Sequence, residues 1–346
     1  MKSLFLVEKN VVELRDVPIP EIDHPDSIRV RVTVTTICGG DIHLVAGLII
    51  PEVGFSIGHE WVGVVDAVGA NVTSVKVGDR VTGPAAPYCG HCAMCERGQI
   101  QACLNGGVHG NGKTMGDLDG TQSEYMIVPW ADSCVLRLPD SIDDETAIVI
   151  GDILSTGWTA VREVKQSGGD TIVIIGCGPV GLSSVMTAKA EGFTNIVAVD
   201  RADARLAVAR ELGATHTVVA DAAAADAIRA ISPDGVLGVV DAAGAQGSID
   251  LASEVIGVGG RIAILGIPGA PLSVNIASLL MRNVTVWTGL GDLSLMPAAL
   301  ELLTSGTVDP RPLITHHISL DELPAMYETM ASGAPEILKV IVRVSE

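Results

Sequence analysis

Two textures of hydrophobic spacing divide the chain. Over the first 150 residues, short β-branched runs alternate with polar positions and are cut by Gly and Pro, so 27–36, 61–68, 79–82 and 123–128 read as strands with no long helical period among them. From residue 168 the pattern changes. Residues 171–175 predict a buried strand, 180–191 a helix, 196–200 a strand and 202–212 an amphipathic helix. Strands follow at 216–219, 236–242, 261–266 and 284–288, with helical segments at 222–231 and 248–256. Strand and helix alternating at this spacing imply right-handed βαβ crossovers and a parallel sheet. The fold class is therefore α/β, a doubly wound sheet domain joined to a β-rich one. Beyond residue 290 the pattern predicts one more helix, 296–305, and a closing Val-rich segment, 339–344.

Composition narrows this picture. The 346 residues suffice for two domains, and with 48% hydrophobic but only 3% aromatic residues the cores must be built from Val, Ile, Leu and Ala. The mean hydropathy of +0.43 invites a membrane reading. Residues 262–281 are indeed uncharged, but Gly266, Pro268, Gly269, Pro271 and Asn275 make them a strand, a turn and a second short element, not a spanning helix. Residues 1–7 hold no apolar run of signal-peptide length, so a soluble, cytoplasmic protein is expected. The net charge of −19 excludes nucleic acid, because binding there needs Lys and Arg to neutralise phosphates and no basic run overrides the overall sign.

Candidate chemistry begins at Gly176-Cys-Gly178-Pro179-Val180-Gly181, a G-x-G-x-x-G run placed after a predicted strand and at the start of a predicted helix. Glycines there allow a tight turn and let helix N-terminal N–H groups approach a pyrophosphate. Asp200, 19 residues past Gly181, ends the next strand, where a carboxylate accepts hydrogen bonds from ribose hydroxyls and repels a 2′-phosphate. NAD is thus expected over NADP, although Arg201 beside it weakens the exclusion.

Seven cysteines stand at 38, 89, 92, 95, 103, 134 and 177. Cys89, Cys92, Cys95 and Cys103 have C-x2-C-x2-C-x7-C spacing, which suits a closed four-thiolate structural zinc cage; His91 lies between two of these ligands. A dispersed set combines Cys38, the run Gly58-His59-Glu60 and Asp152. It offers one thiolate, one imidazole and one carboxylate, three protein ligands that leave a fourth position open for water or an alcohol oxygen. Two zinc ions per chain follow.

With these motifs in place, the chain resembles the zinc-dependent medium-chain alcohol dehydrogenases over essentially its whole length. The resemblance rests on Cys38 with Asp41 and His43, Gly58-His59-Glu60-x-x-Gly63, Gly78-Asp79-Arg80-Val81, the four-cysteine lobe and the Gly176 loop. A carboxylate ligand at Asp152, in place of a cysteine, looks like the bacterial secondary-alcohol enzymes. The resemblance implies a GroES-like catalytic domain of residues 1–153 and 291–346 with a zinc lobe near 88–104, a Rossmann NAD domain of 154–290, and a site in the cleft between them. It also implies that Glu60 lies beside the catalytic metal, that Asp41 orients His59, that Thr156 packs on the nicotinamide and that Lys339 approaches the cofactor pyrophosphate. One position departs from the family. Gly40 stands where a Ser or Thr hydroxyl usually passes the alcohol proton outward, so either that relay is rebuilt through a water leading to His43 or through another group, or the substrate brings its own hydroxyl, as a diol does.

The implied activity is interconversion of alcohols, chiefly secondary ones, with ketones or aldehydes by hydride transfer to and from NAD. The substrate is then a small alcohol or ketone, and the assembly a homo-oligomer, with a tetramer favoured over a dimer. Polyol, butanediol and threonine dehydrogenases on the same scaffold are the nearest alternative, and small residues at Ala85 and Ala86 are compatible with a bulkier substrate. A zinc-free quinone reductase is disfavoured by the intact ligand set, and a non-catalytic nucleotide-binding protein by its open fourth position. Cys134 and Cys177 read as core residues, His316 and His317 as a surface pair on a loop, and Trp287 as structural.

Overall fold

The computed structural model describes residues 1–345, which form two compact units. The first comprises Met1–Asp152, Asp292–Ser305 and the segment from Ile314 onward; the second comprises Ile153–Gly291 and Gly306–Leu313.

In the first unit, strand Ile28–Thr36 organises the sheet. Its sequence alternates, with Ile28, Val30 and Val32 buried and Arg29, Arg31 and Thr33 half-exposed, as a strand with one apolar face requires. It pairs antiparallel with Trp61–Val68, with Tyr125–Val128 and with the C-terminal strand Lys339–Arg343. Arg80–Thr82 and Leu136–Arg137 extend the sheet at one edge, and Ile314–Ser319 extends it at the other. A smaller sheet joins Lys2–Glu8 to Val11–Asp16 and Phe55–Ser56. Two sequence expectations are corrected here. His316 and His317 belong to strand Ile314–Ser319, not a loop, and His317 Nε2 sits 2.9 Å from Glu145 Oε2. A second helix, Leu323–Ala331, follows residue 305; its Pro324 occupies the first turn, where a missing N–H costs nothing, so the proline starts the helix instead of breaking it.

The second unit is a six-stranded parallel sheet ordered His216–Val219, Asn195–Asp200, Thr171–Ile175, Val236–Asp241, Ile256–Ile264, Thr285–Thr288. In chain order this is 3-2-1-4-5-6, the doubly wound arrangement whose crevice lies where the order reverses, between Thr171–Ile175 and Val236–Asp241. Thr171–Ile175 is buried at every position, which explains its unbroken apolar run. Helix Ser155–Lys165, which the spacing did not reveal, packs on Pro179–Ala190; a Cβ at Gly157 would stand 2.7 Å from Ser184 N, so the helices approach through that glycine. The uncharged stretch resolves into strand Ile256–Ile264 and short helix Ile276–Leu280, and among the described residues no helix is long and apolar enough to cross a membrane.

Candidate active site and cofactor loop

Cys38 caps helix Gly39–Val45, with its own N–H donating to Asp41 Oδ2 at 2.9 Å. His59 and Glu60 immediately precede strand Trp61–Val68, and Asp152 lies in a single π-helical turn, Ile150–Leu154. Such turns interrupt regular helix and recur at functional positions. Ligand atoms of Cys38, His59, Glu60 and Asp152 all lie within 4.8 Å of one another. Cys38 Sγ is 3.6 Å from Asp152 Oδ2, and His59 Nε2 is 3.5 Å from the same oxygen. For metal–ligand bonds of about 2.0–2.3 Å, tetrahedral edges are roughly 3.3–3.8 Å, so the spacing fits a zinc ion.

The electrostatics fit as well. Burial pushes the Cys38 thiol up, and the charge of Asp152 adds to that. Burial likewise raises Glu60, against the pull of Lys339. For His59, burial would lower the imidazole, but Asp41 and Cys38 outweigh it and hold it well above its usual range. A thiol and two carboxylates gathered out of water call for a cation. Glu60 Oε2 is also buried without a hydrogen-bond partner, an acceptor left over for a metal.

The backbone carrying the ligands is braced. Thr35 Oγ1 and Thr121 Oγ1 both donate to the Glu60 carbonyl, at 2.8 and 2.9 Å, and Thr121 N–H donates to Gly58 O at 3.0 Å. Gly58 has φ +96°, a region that favours glycine, and a Cβ there would meet Gln122 Cγ at 2.6 Å. Asp41 Oδ1 lies 3.0 Å from His59 Nδ1, leaving Nε2 on the ligand side. His43 sits in the last turn of Gly39–Val45, outside the ligand cluster.

Lys339 departs from expectation. Its ammonium is fully buried and donates to Glu60 Oε1 at 2.6 Å, so in place of a pyrophosphate contact it serves as the counter-ion of a carboxylate at the metal cluster. The residues that sequence reasoning missed altogether are Thr35, Thr121, Gln122 and Tyr327. No motif marks them, because each acts through contacts with residues distant in the chain.

The cysteine lobe is a separate cluster. Sulfur separations of 3.5 Å for Cys92–Cys95, 3.8 Å for Cys92–Cys103 and 3.6 Å for Cys89–Cys103 match the edges of a tetrahedron with metal–sulfur bonds of about 2.3 Å. Backbone N–H groups of Cys95 and Leu104 lower the Cys92 thiol to about 6, while burial and the Cys92 sulfur push Cys95 up to about 12. Sulfurs packed this closely suit a bound cation. His91 is turned away, with Nδ1 2.8 Å from Cys89 O. All seven cysteines are free thiols, with Cys134 and Cys177 buried.

In the second unit the glycine loop follows strand Thr171–Ile175 and ends on helix Pro179–Ala190. A Cβ at Gly181 would lie 1.8 Å from Gly176 O, whereas one at Gly178 would meet nothing within 4 Å. One glycine thus permits close packing and the other leaves open space for a ligand to reach the backbone. Asp200 Oδ2 accepts from Cys177 N–H at 2.7 Å and Oδ1 from Ala202 N–H at 2.9 Å, which ties the carboxylate to the rim of the loop with lone pairs to spare. Arg201 is exposed, and Thr156 is half-buried on helix Ser155–Lys165, against Gly291.

Comparison with known proteins agrees on both units. The alcohol dehydrogenase GroES-like domain matches residues 24–140, and the zinc-binding dehydrogenase domain matches residues 179–305. An alcohol dehydrogenase of Cupriavidus necator is 32% identical, covering 99% of this chain and 98% of its own. A sorbitol dehydrogenase of Bacillus subtilis is 31% identical, covering 99% and 97%. The solved structure of an alcohol dehydrogenase from Thermus sp. ATN1 superposes with a TM-score of 0.93 at 35% identity, over 100% of both chains.

Proposed function

The chain belongs to the zinc-dependent medium-chain alcohol dehydrogenase family and so is a nicotinamide-dependent oxidoreductase acting on CH–OH groups; on that premise we propose reversible, NAD-linked oxidation of secondary alcohols to ketones at the Cys38 cluster. The observation that carries this reading is the convergence of Cys38, His59, Glu60 and Asp152, whose ligand atoms lie within 4.8 Å of one another and offer a mixed S, N, O set. Cys38, His59 and Asp152 would hold a zinc ion, which would supply a Lewis acid for the hydroxyl or carbonyl oxygen, and the Gly176 loop would hold a nicotinamide, which would supply the hydride acceptor or donor.

The chain's own residues prepare that chemistry. Asp41 Oδ1, 3.0 Å from His59 Nδ1, holds that side of the imidazole and leaves Nε2 toward Asp152 and Cys38. Lys339 keeps Glu60 Oε1, leaving Oε2 to face the cluster. Asp200, held at the loop by Cys177 N–H, keeps lone pairs that would accept from ribose hydroxyls and a charge that would repel a 2′-phosphate, which supports NAD over NADP. Cys89, Cys92, Cys95 and Cys103 would hold a second zinc with no position left open, which suits a structural role.

Gly40 favours a second reading. A Cβ at this position would stand 3.8 Å from Cys38 Sγ and 3.9 Å from His59 Cε1, so there is space for a side chain that the sequence does not supply. A diol or polyol substrate would bring a hydroxyl of its own into that space, in keeping with the sorbitol dehydrogenase relative. The protein is further proposed to be cytoplasmic and homo-oligomeric, a tetramer or at least a dimer. Edge strand Thr285–Thr288 supports this with exposed Val286, as do Ile276, Leu280 and Met281 beside it.

A metal count combined with a 340 nm screen of secondary alcohols, diols and ketones against both nicotinamides tests the reading. Two zinc ions per chain and NAD-linked turnover are expected. A single zinc, or turnover with NADPH alone, would overturn the corresponding part.

A further inference from the structure

A buried polar chain leads away from the ligand cluster, and its outer members, Gln122 and Tyr327, take no part in the chemistry above. Tyr327, on helix Leu323–Ala331, donates its hydroxyl to Gln122 Oε1 at 2.9 Å. Gln122 Nε2 donates to Thr36 O at 3.0 Å and to Asp41 Oδ2 at 3.4 Å. Asp41 Oδ2 also accepts from Cys38 N–H at 2.9 Å, and Asp41 Oδ1 faces His59 Nδ1 at 3.0 Å. Tyr327 is 3% exposed, Gln122 0% and Asp41 1%.

The partners settle which way the amide points. A carbonyl and a carboxylate are acceptors, so the nitrogen of Gln122 must face Thr36 and Asp41, and its oxygen is left for the tyrosine hydroxyl. Gln122 also closes on the ligand from its other side, since its Cγ occupies the space that a Cβ on Gly58, the residue before His59, would need. A buried Gln with three satisfied partners is costly to assemble, as loss of any one leaves a desolvated polar group.

We propose that Gln122 and Tyr327 are positioning residues for the reaction: through Asp41 they hold the His59 imidazole in its ligating orientation, so that the C-terminal helix Leu323–Ala331 bears on the catalytic metal without touching it. The inference rests on the reading of Cys38, His59 and Asp152 as zinc ligands. Outer-shell partners of ligating histidines alter metal affinity by about 10–100-fold, and a group one bond further out is expected near the lower end of that range.

The test uses the full chain with cobalt(II) exchanged for zinc and reads metal release to a chelator, together with the cobalt d–d absorption of the mixed S, N, O site. Gln122→Met keeps length and volume while removing all three hydrogen bonds; Tyr327→Phe removes only the hydroxyl and protects the test should the first variant fail to fold. Release from the Cys38 site is expected to quicken by about 10-fold in Gln122→Met and less in Tyr327→Phe, with a shifted d–d band and unchanged release from the cysteine lobe. The double variant should match Gln122→Met alone, because the tyrosine acts only through the amide. Lowered melting temperatures with wild-type release and spectrum would mean that the chain is merely structural and would overturn the proposal by itself. A wild-type protein that takes up metal only in the cysteine lobe would overturn the zinc-ligand reading and this proposal together.

Discussion

The two metal-ligand clusters meet the same chemical demand by opposite means. The lobe draws all its ligands from Cys89 to Cys103, and its sulfurs are served by nearby donors: Cys89 N–H to Cys103 Sγ, Leu104 N–H to Cys92 Sγ and Asn105 Nδ2 to Cys89 Sγ. The Cys38 cluster gathers ligands from a helix cap, the start of a strand and a π-helical turn more than a hundred residues later. Side chains from still other segments brace it, Thr35 and Thr121 at the Glu60 carbonyl, Lys339 at the Glu60 carboxylate and Gln122 at Asp41. A local cluster depends on its own turns. A dispersed site depends on whatever surrounds it, and each surrounding contact is a place where affinity and reactivity are set.

The contrast is broken most directly at Asp152. Asp152→Ala should lower turnover by about three orders of magnitude or more, since Lewis-acid stabilisation is worth several kcal/mol, and should cost one metal per chain while the lobe stays loaded. Near-wild-type turnover in that variant would refute the assignment. Lys339→Met leaves the Glu60 carboxylate buried without its counter-ion, and a loss of about 3–5 kcal/mol is expected in denaturant unfolding. A loss below 1 kcal/mol would mean that the pair does not hold the site. Cys103→Ser should release the lobe metal and lower the melting temperature while the Cys38 site keeps its zinc, as metal analysis against a thermal scan would reveal. Asp41→Asn should weaken zinc at His59 by about 10–100-fold in chelator competition and leave the lobe unaffected. Asp200→Ala should raise the KM for NAD by about 10-fold, the worth of roughly one charge-assisted hydrogen bond, and narrow the gap between NAD and NADP. An unchanged cofactor ratio would remove Asp200 from the specificity argument.

Legibility follows the same division. The glycine loop could be read because strand, turn and helix are contiguous, and the lobe because its spacing is its geometry. Cys38, His59 and Asp152 were readable as types in an order, but the 3.5–3.6 Å spacing of their atoms was not. Lys339 was read as a cation near the end of the chain, and only pairing of strand Lys339–Arg343 with Ile28–Thr36 takes it into the core beside Glu60. Helix Leu323–Ala331 escaped notice because it is short and its Pro324 looks like a breaker until the turn it begins is seen. Helix Ser155–Lys165 escaped because Gly157, a poor helix former, is there for contact with a neighbouring helix.

By itself the sequence determined the parallel α/β architecture, the glycine loop between strand and helix and the four-cysteine cluster, since all three arise from interactions within a few turns of chain, where residue spacing is spatial arrangement. Only the tertiary structure decided which carboxylate Lys339 neutralises, which nitrogen of His59 faces Asp41 and that Gln122 and Tyr327 stand behind Asp41. Those outcomes depend on buried polar groups finding partners across the sheet, and burial is a property of the packed molecule that no local pattern encodes.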